Sequence, residues 1–128
     1  MKQKYDLEER LIDFGVQMID LSELMDKKRE AGRHLSGQLV RSGTSPGLHY
    51  GEAQAAESRR DFIHKMKVVL KELKETGRNL KMSKRAALCR SKEQLEAGLT
   101  ECNELISIFV RSIQTAEGRN RETDERKN

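Results

Sequence analysis

Residues 58–85 read SRRDFIHKMKVVLKELKETGRNLKMSKR, and this stretch decides the fold class. Ser58 followed three residues later by Asp61 is typical of a helix start, because such side chains accept hydrogen bonds from the free N–H groups of the first turn. A seam then recurs at spacings of four and three, the period of one helical face: Phe62, Met66, Val69, Leu73, Thr76 and Leu80. The pattern predicts a long amphipathic helix over about 58–84.

The other side of this predicted helix is basic. Residues 59–85 hold ten Lys and Arg against three acidic residues. At about 100° per residue, a line of basic side chains lies opposite the seam. It contains His64 and seven predicted phosphate contacts: Arg60, Lys67, Lys71, Lys74, Arg78, Lys81 and Arg85. Since like charges three or four apart repel, the line indicates an anionic partner, with nucleic-acid phosphate as the first candidate. A solvated face without a partner is the alternative.

Two more helices are predicted on either side. Asp6 and Glu9 resemble a capping box and precede a seam over about 6–26: Leu7, Leu11, Phe14, Met18, Leu21 and Met25. Ser91 and Gln94 repeat the signal before a last helix that ends by Gly118: Leu95, Leu99, Cys102, Ile106, Phe109, Ile113 and Ala116. Connections are expected at 26–32 and 83–91. The apolar-free RNRETDERKN predicts a disordered tail, dividing the chain into a bundle over 1–117 and a tail over 118–128.

The remaining segment, near 31–57, contains RSGTSPGLHYGEAQ at 41–54. Helix formers surround SGTSPG, so either two short helices meet there or one helix continues with a kink at Pro46. Residues 34–58 hold only three charged side chains, Arg41, Glu52 and Glu57. A helix without a charged face is expected to be covered by its own bundle and by another subunit. Arg41 and Glu52 are the candidate buried partners.

Signals for catalysis are weak. No phosphate-loop motif or preceding strand accompanies the glycines, and Cys89 and Cys102 lack metal-site spacing. Ser45, His49 and Glu52 contain the residue types of a catalytic triad, but no nucleophile elbow surrounds them. No apolar run approaches the length of a membrane span or resembles a signal peptide. We therefore expect a cytoplasmic protein that is not an enzyme and carries no cofactor or metal.

Several motifs carry a family resemblance. The first is an R-S-x-x-S core formed by Arg41, Ser42 and Ser45. The second is an EAQ-x-AES segment that contains Glu52–Gln54, Glu57 and Ser58. The third is a D-F-I-H-K run, Asp61–Lys65, which is followed by Lys71 and Glu72. From about Leu7 to Ala116 the chain resembles the bacterial four helix bundle protein family, first noticed in intervening sequences of large-subunit ribosomal RNA genes. The segment 46–51 departs from the usual family pattern, so local packing there is expected to differ.

This resemblance implies an all-α, antiparallel up-down four-helix bundle that assembles as a homopentamer without assigned enzymatic activity. Five residues of the motifs are assigned an oligomer or structural role: Arg41, Ser42, Ser45, Glu52 and Glu57. The fold is also similar to the accessory variability determinant of diversity-generating retroelements, which implies nucleic-acid binding and a reverse transcriptase as partner. The expected function is an oligomeric, nucleic-acid-binding accessory protein, and a protein-protein interaction scaffold is the alternative.

Overall fold

The computed structural model describes the backbone of residues 6–127 and the side chains of residues 6–118. Its four helices are α1 (Leu7–Glu23), α2 (Glu30–Gln54), α3 (Arg59–Arg85) and α4 (Lys92–Lys127). Each helix packs against its neighbour in sequence, and α4 also packs against α1, which closes the bundle. Short loops between such neighbours give an antiparallel, up-down arrangement. The predicted all-α four-helix bundle is confirmed.

The core lies along the predicted seams of α1, α3 and α4 and along one side of α2. A helix whose apolar residues share one face is stabilised mainly by burying that face against its neighbours. Side chains that are fully buried include Phe14 and Met18 of α1, Leu39 of α2, Met66 and Leu73 of α3, and Leu105 and Phe109 of α4. Tyr50 packs edge-on against Phe109, with ring centroids 5.8 Å apart. The seam periodicity therefore placed most of these inner faces, although the predicted α4 seam listed the half-buried Ile106 and omitted the fully buried Leu105.

Helix α2 is one continuous helix through Pro46, which decides between the two predicted alternatives. Its first turn contains Gly32, which the sequence placed in a connection. A Cβ on Gly32 would lie 1.8 Å from the Asp26 carbonyl oxygen, so the preceding loop folds too closely for any larger residue. Glycines 43 and 47 lie against α1 and allow the two helices to approach. The kink at Pro46 stays a prediction.

Buried polar contacts set the rotation of α3 against α2. Asn79 donates through Nδ2 to the Leu35 carbonyl oxygen at 2.9 Å, and the Thr76 hydroxyl hydrogen-bonds to that of Ser42, also at 2.9 Å. Because an unpaired buried polar group is costly, these contacts favour one register of the two helices. They hold one side of α3 inward and leave the basic line on its outer side.

Helix ends differ from prediction at both ends of the chain. Helix α1 stops at Glu23, because residues 24–26 leave the helix and pair with residues 88–90: Asp26 N–H donates to the Leu88 carbonyl and Arg90 N–H to the Leu24 carbonyl. Helix α4 continues to Lys127, so the predicted stop at Gly118 is wrong. Glycine costs a helix only about 1 kcal/mol, and the Arg, Glu and Lys residues beyond it are good helix formers. The division into a 1–117 bundle and a 118–128 tail stays a prediction, since side chains beyond Gly118 lie outside the description.

Candidate nucleic-acid interface

The outer side of α3 carries the predicted basic line, which we call the basic face and define by seven exposed residues: Arg60, Lys67, Lys71, Lys74, Arg78, Lys81 and Arg85. These residues lie on the outer side because the apolar seam from Phe62 to Leu80, on the opposite side of α3, faces the core. Only Lys67 is ion-paired, with its Nζ 2.9 Å from Glu117 Oε2. Within the described side chains, the other six have no ion pair. The structure thus places all seven predicted residues on one surface.

Three cations outside the basic face, Arg10, Lys65 and Lys84, lie in ion pairs. Arg10 of α1 donates to both Glu101 and Glu104 of α4, at 2.7–2.8 Å, and these contacts raise the pKa of its guanidinium. Lys65 contacts Asp61 at 2.9 Å, and this hydrogen bond raises the pKa of its ammonium group. The Lys84 Nζ lies 2.5 Å from Glu96 Oε2. The basic face differs from these positions because six of its seven neighbouring cations have no ion pair among the described side chains.

Arg41 occupies a different position from the predicted one. Its side chain is 51% exposed, and it contacts Glu75 and, at 3.7 Å, Glu72, both on α3. It does not pair with Glu52, which is exposed, as is Glu57. The expectation of Arg41 and Glu52 as buried partners is therefore wrong within one chain. Helices α2 and α3 pack side by side, which brings Arg41 and Glu75, 34 positions apart, into contact.

Ser42 and Ser45 are both buried in α2. Ser42 contacts Thr76 as described, a structural role between helices. The Ser45 Oγ lies 3.0 Å from His49 Nδ1, one helical turn away. Glu52 forms no hydrogen bond with His49 among the described side chains, so the third member that would orient a catalytic histidine is not in place. This Ser–His contact is a local hydrogen bond along one helix.

The sequence reading missed an apolar surface on α1 and α2. Ile12, Val16 and Ile19 lie at spacings of four and three on the outer side of α1, with exposures of 42%, 52% and 37%. On α2, Leu48 is 73% exposed. Its neighbour Gly47 packs against the backbone of Leu11 and Ile12, so Leu48 borders the α1 line. We call Ile12, Val16, Ile19 and Leu48 the apolar face; its spacing was the available signal.

Two glycines of α2 lie at its exposed surface. A Cβ added at Gly37 or at Gly51 would meet no atom within 4 Å. Each glycine costs the helix about 1 kcal/mol relative to alanine. Nothing within the described chain would clash with a larger residue at either position. Gly37 and Gly51 are thus unlike the close-packed Gly32, Gly43 and Gly47.

The cysteines and the described acidic residues form no metal centre. Within the described part of the chain, no three His, Cys, Asp or Glu side chains come together as a metal site requires. Cys102 is fully buried, its thiol donates to the Leu73 carbonyl at 3.2 Å, and burial raises its pKa to about 12. A thiol held neutral in this way is a poor nucleophile. Cys102 is a core residue, as predicted.

No helix among the described residues has both the length and the apolarity needed to cross a membrane.

Comparison with known proteins identifies the family but no activity. The family model of the 23S rRNA-intervening sequence protein matches residues 3–111. A crystal structure of a protein of unknown function from the S23 ribosomal protein family of Bacteroides thetaiotaomicron is similar, with a TM-score of 0.74 and 29% identity. The match covers 85% of this chain and 99% of that one. No curated protein matches significantly. Neither description names an enzymatic activity, and the chain belongs to the 23S rRNA-intervening sequence protein family.

Proposed function

We propose that this protein is a non-catalytic, oligomeric bundle that binds the phosphate backbone of RNA or DNA through the basic face of α3. The observation that carries the proposal is a row of exposed cations that have no ion pair among the described side chains: Arg60, Lys71, Lys74, Arg78, Lys81 and Arg85. Lysine and arginine on such a surface gain affinity for nucleic acid by releasing counterions from the phosphates, without reading sequence. Because the like charges on this helix face repel one another, a bound polyanion relieves the repulsion and stabilises the helix.

The geometry of α3 supports this use of the face. The helix is 27 residues long, which at about 1.5 Å per residue gives an extended row rather than a point site. Asn79 and Thr76 hold the helix from the inner side, so the cations need no rearrangement of the bundle to meet a strand. A rigid row of this kind fits a backbone with regularly spaced charges.

Assembly through the apolar face is the second part of the proposal. Ile12, Val16, Ile19 and Leu48 expose apolar surface that water solvates poorly, and burial of such surface favours association. Gly37 and Gly51 support a second copy as occupant, because each leaves room for a neighbouring backbone at a position where the chain's own packing needs none. Five copies, and a reverse transcriptase as partner, stay predictions from the resemblance.

An interaction scaffold without a nucleic-acid role is the competing function. The same exposed apolar residues favour it, because they fit a foreign protein as well as a second copy. In that case the basic face serves solubility or an acidic protein surface. Nucleic acid would then bind no better than to any protein of equal charge.

Charge reversal at the centre of the basic face tests the proposal. We expect the triple variant Lys71→Glu, Lys74→Glu, Arg78→Glu to lose at least tenfold in affinity for a fluorescent single-stranded oligonucleotide at about 50 mM salt. The slope of log K against log salt should fall by about 2 to 3, since each neutralised phosphate contributes about 0.7 to 0.9. Fluorescence anisotropy across a salt series measures both quantities, and circular dichroism checks the helix content.

The matched control reverses three exposed cations outside the basic face: Lys28→Glu, Arg33→Glu and Arg111→Glu. It has the same net charge as the test variant, so a loss caused by net charge alone would be equal in both. Equal losses, or no loss in the test variant, would contradict the proposal. Retained binding in the control with loss in the test variant supports it.

A further inference from the structure

The groove between α3 and α4 extends the basic face onto a second helix. A surface groove of about 320 Å³ is lined by Lys81, Lys84 and Arg85 on α3 and by Glu96, Leu99, Thr100 and Asn103 on α4. The two walls differ in chemistry, because one is cationic and the other is largely uncharged and polar. Thr100 and Asn103 are exposed. Within the described chain, neither side chain has a hydrogen-bond partner, so both are available to a ligand.

The four acidic residues of α4 between positions 96 and 117 are paired with cations or turned away from this groove. Glu101 and Glu104 both accept from Arg10 on the α1 side of the helix. Glu96 is held by Lys84 at one end and Glu117 by Lys67 at the other. From Glu96 to Glu117, each of the four carboxylates of α4 therefore has a cation. The middle of the α4 wall, at Thr100 and Asn103, presents no free negative charge to repel a polyanion.

Hydroxyl and amide groups beside cations match the oxygens of a sugar-phosphate backbone. Side chains of Lys and Arg supply charge to phosphates, while Thr and Asn donate to phosphate or ribose oxygens and fix the strand's register. An asparagine can also accept from a ribose 2′-hydroxyl, the group that distinguishes RNA from DNA. A smooth cationic surface alone provides no such anchor.

We infer that the backbone of the bound nucleic acid lies along the α3–α4 groove, with phosphates on Lys81 and Arg85 and with Thr100 and Asn103 as hydrogen-bonding contacts on α4. This inference rests on the proposed nucleic-acid function and assigns it a second wall. Lys84 is withheld by Glu96, so Glu96 limits the charge of the groove. The α4 contacts contribute affinity without releasing counterions, which gives them a signature different from that of the lysines.

The salt dependence of binding separates the two walls. We expect Thr100→Ala with Asn103→Ala to weaken oligonucleotide binding by roughly tenfold, the scale of two hydrogen bonds, with an unchanged salt slope. Lys81→Ala with Arg85→Ala should instead lower the slope by about 2. Glu96→Gln should free Lys84, tighten binding and raise the slope by about 1. Gln54→Ala, which removes an exposed amide from α2, should change neither quantity.

The outcomes separate this inference from the proposed function. If the wild-type chain does not bind the oligonucleotide, or if the basic-face variant loses no more affinity than the net-charge control, the proposed function fails. If the wild type binds and the basic-face variant does not, but the Thr100 and Asn103 double variant binds like wild type, only the groove assignment is overturned. Thr100→Ser, which keeps the hydroxyl, should retain affinity, and circular dichroism of the double alanine variant checks that its helices are intact.

Oligonucleotides of one sequence in RNA and DNA form locate the α4 contact. An equal loss for both in the double variant places the contact on phosphate. A larger loss for RNA places it on the 2′-hydroxyl. A gain in affinity for either would contradict the assignment.

Discussion

Helices α2 and α3 are neighbours of similar length, 25 and 27 residues, yet their outer surfaces have opposite character. The outer side of α3 is a row of cations, whereas α2 beyond its first turns exposes glycines, Leu48 and only two charged side chains, Arg41 and Glu52. On the inner sides, α2 buries mainly small residues, and α3 buries larger apolar residues such as Met66, Leu73 and Leu80. The comparison teaches that packing within the bundle constrains the residues of the inner faces only. The residues of the outer faces therefore indicate what each helix contacts outside the chain.

Arg41 lies where these two surfaces meet. Its guanidinium contacts Glu72 and Glu75, so the α2 side of α3 is closed by an ion-pair cluster. On the α4 side, Lys81 and Arg85 remain open beside Thr100 and Asn103. The basic face is therefore asymmetric, and its open edge points toward α4, away from the apolar face.

Moving a charge onto the apolar face should have the largest effect. We expect Leu48→Lys with Val16→Lys to dissociate the proposed assembly completely, because a lysine ammonium buried in an apolar contact loses its hydration. Light scattering should then give the mass of one chain, 14.7 kDa, instead of a multiple of it. Met82→Lys is the control, since Met82 is an exposed apolar residue of α3, at 53%. A wild-type mass of one chain would contradict assembly.

Raising the pH should lower the free energy of unfolding through a group on the inner side of α3. The buried Cys102 thiol, which contacts the inner side at Leu73, has its pKa raised from about 9 to about 12. A raised folded-state pKa gives stability that is complete below pH 9 and is lost as the pH rises toward 12. The loss should approach about 1.4 kcal/mol per pH unit. Urea unfolding at pH 8, 9, 10 and 11 measures it.

The control for this pH dependence is a variant at the other cysteine. Cys102→Ala should unfold with a shallower decline above pH 9, and Cys89→Ala should keep the wild-type decline. The raised pKa of Tyr50, caused first by burial, adds a decline common to all three proteins. Identical profiles for the two variants would refute the role of Cys102.

Glycine substitutions should give the smallest changes in the unfolding free energy, and the sign of the change should depend on the position in α2. In the monomeric Leu48→Lys, Val16→Lys background, Gly37→Ala and Gly51→Ala should each raise the unfolding free energy by about 0.5 to 1 kcal/mol. Gly43→Ala should lower it by about 1 to 3 kcal/mol, as overpacking does, because its Cβ would lie 2.5 Å from Met18 Cγ. Urea unfolding supplies the values. A loss of stability with Gly37→Ala would show that the chain itself requires that glycine.

Much of the bundle was predictable because seams repeat locally. The residues of the α3 seam, the opposite basic face and the capping signals at Ser58 and Ser91 all follow from spacings within one or two turns, and each is present. Pairings across helices were not predictable. Asn79 contacts Leu35 over 44 residues of sequence, and Arg41 contacts Glu75 rather than Glu52. The Ile12, Val16 and Ile19 line was readable but was overlooked beside the stronger α1 seam.

The sequence by itself determined which residues share a side of each helix, because a period of 3.6 residues places them there whatever the partner helix is. It also determined that α3 carries an excess of positive charge. Only the tertiary structure decided which sides meet, since buried contacts such as Asn79 with Leu35 select one rotation and register among several that would bury similar apolar area. That selection opened the cationic edge of α3 toward Thr100 and Asn103, and it left Ile12, Val16, Ile19 and Leu48 together at the surface.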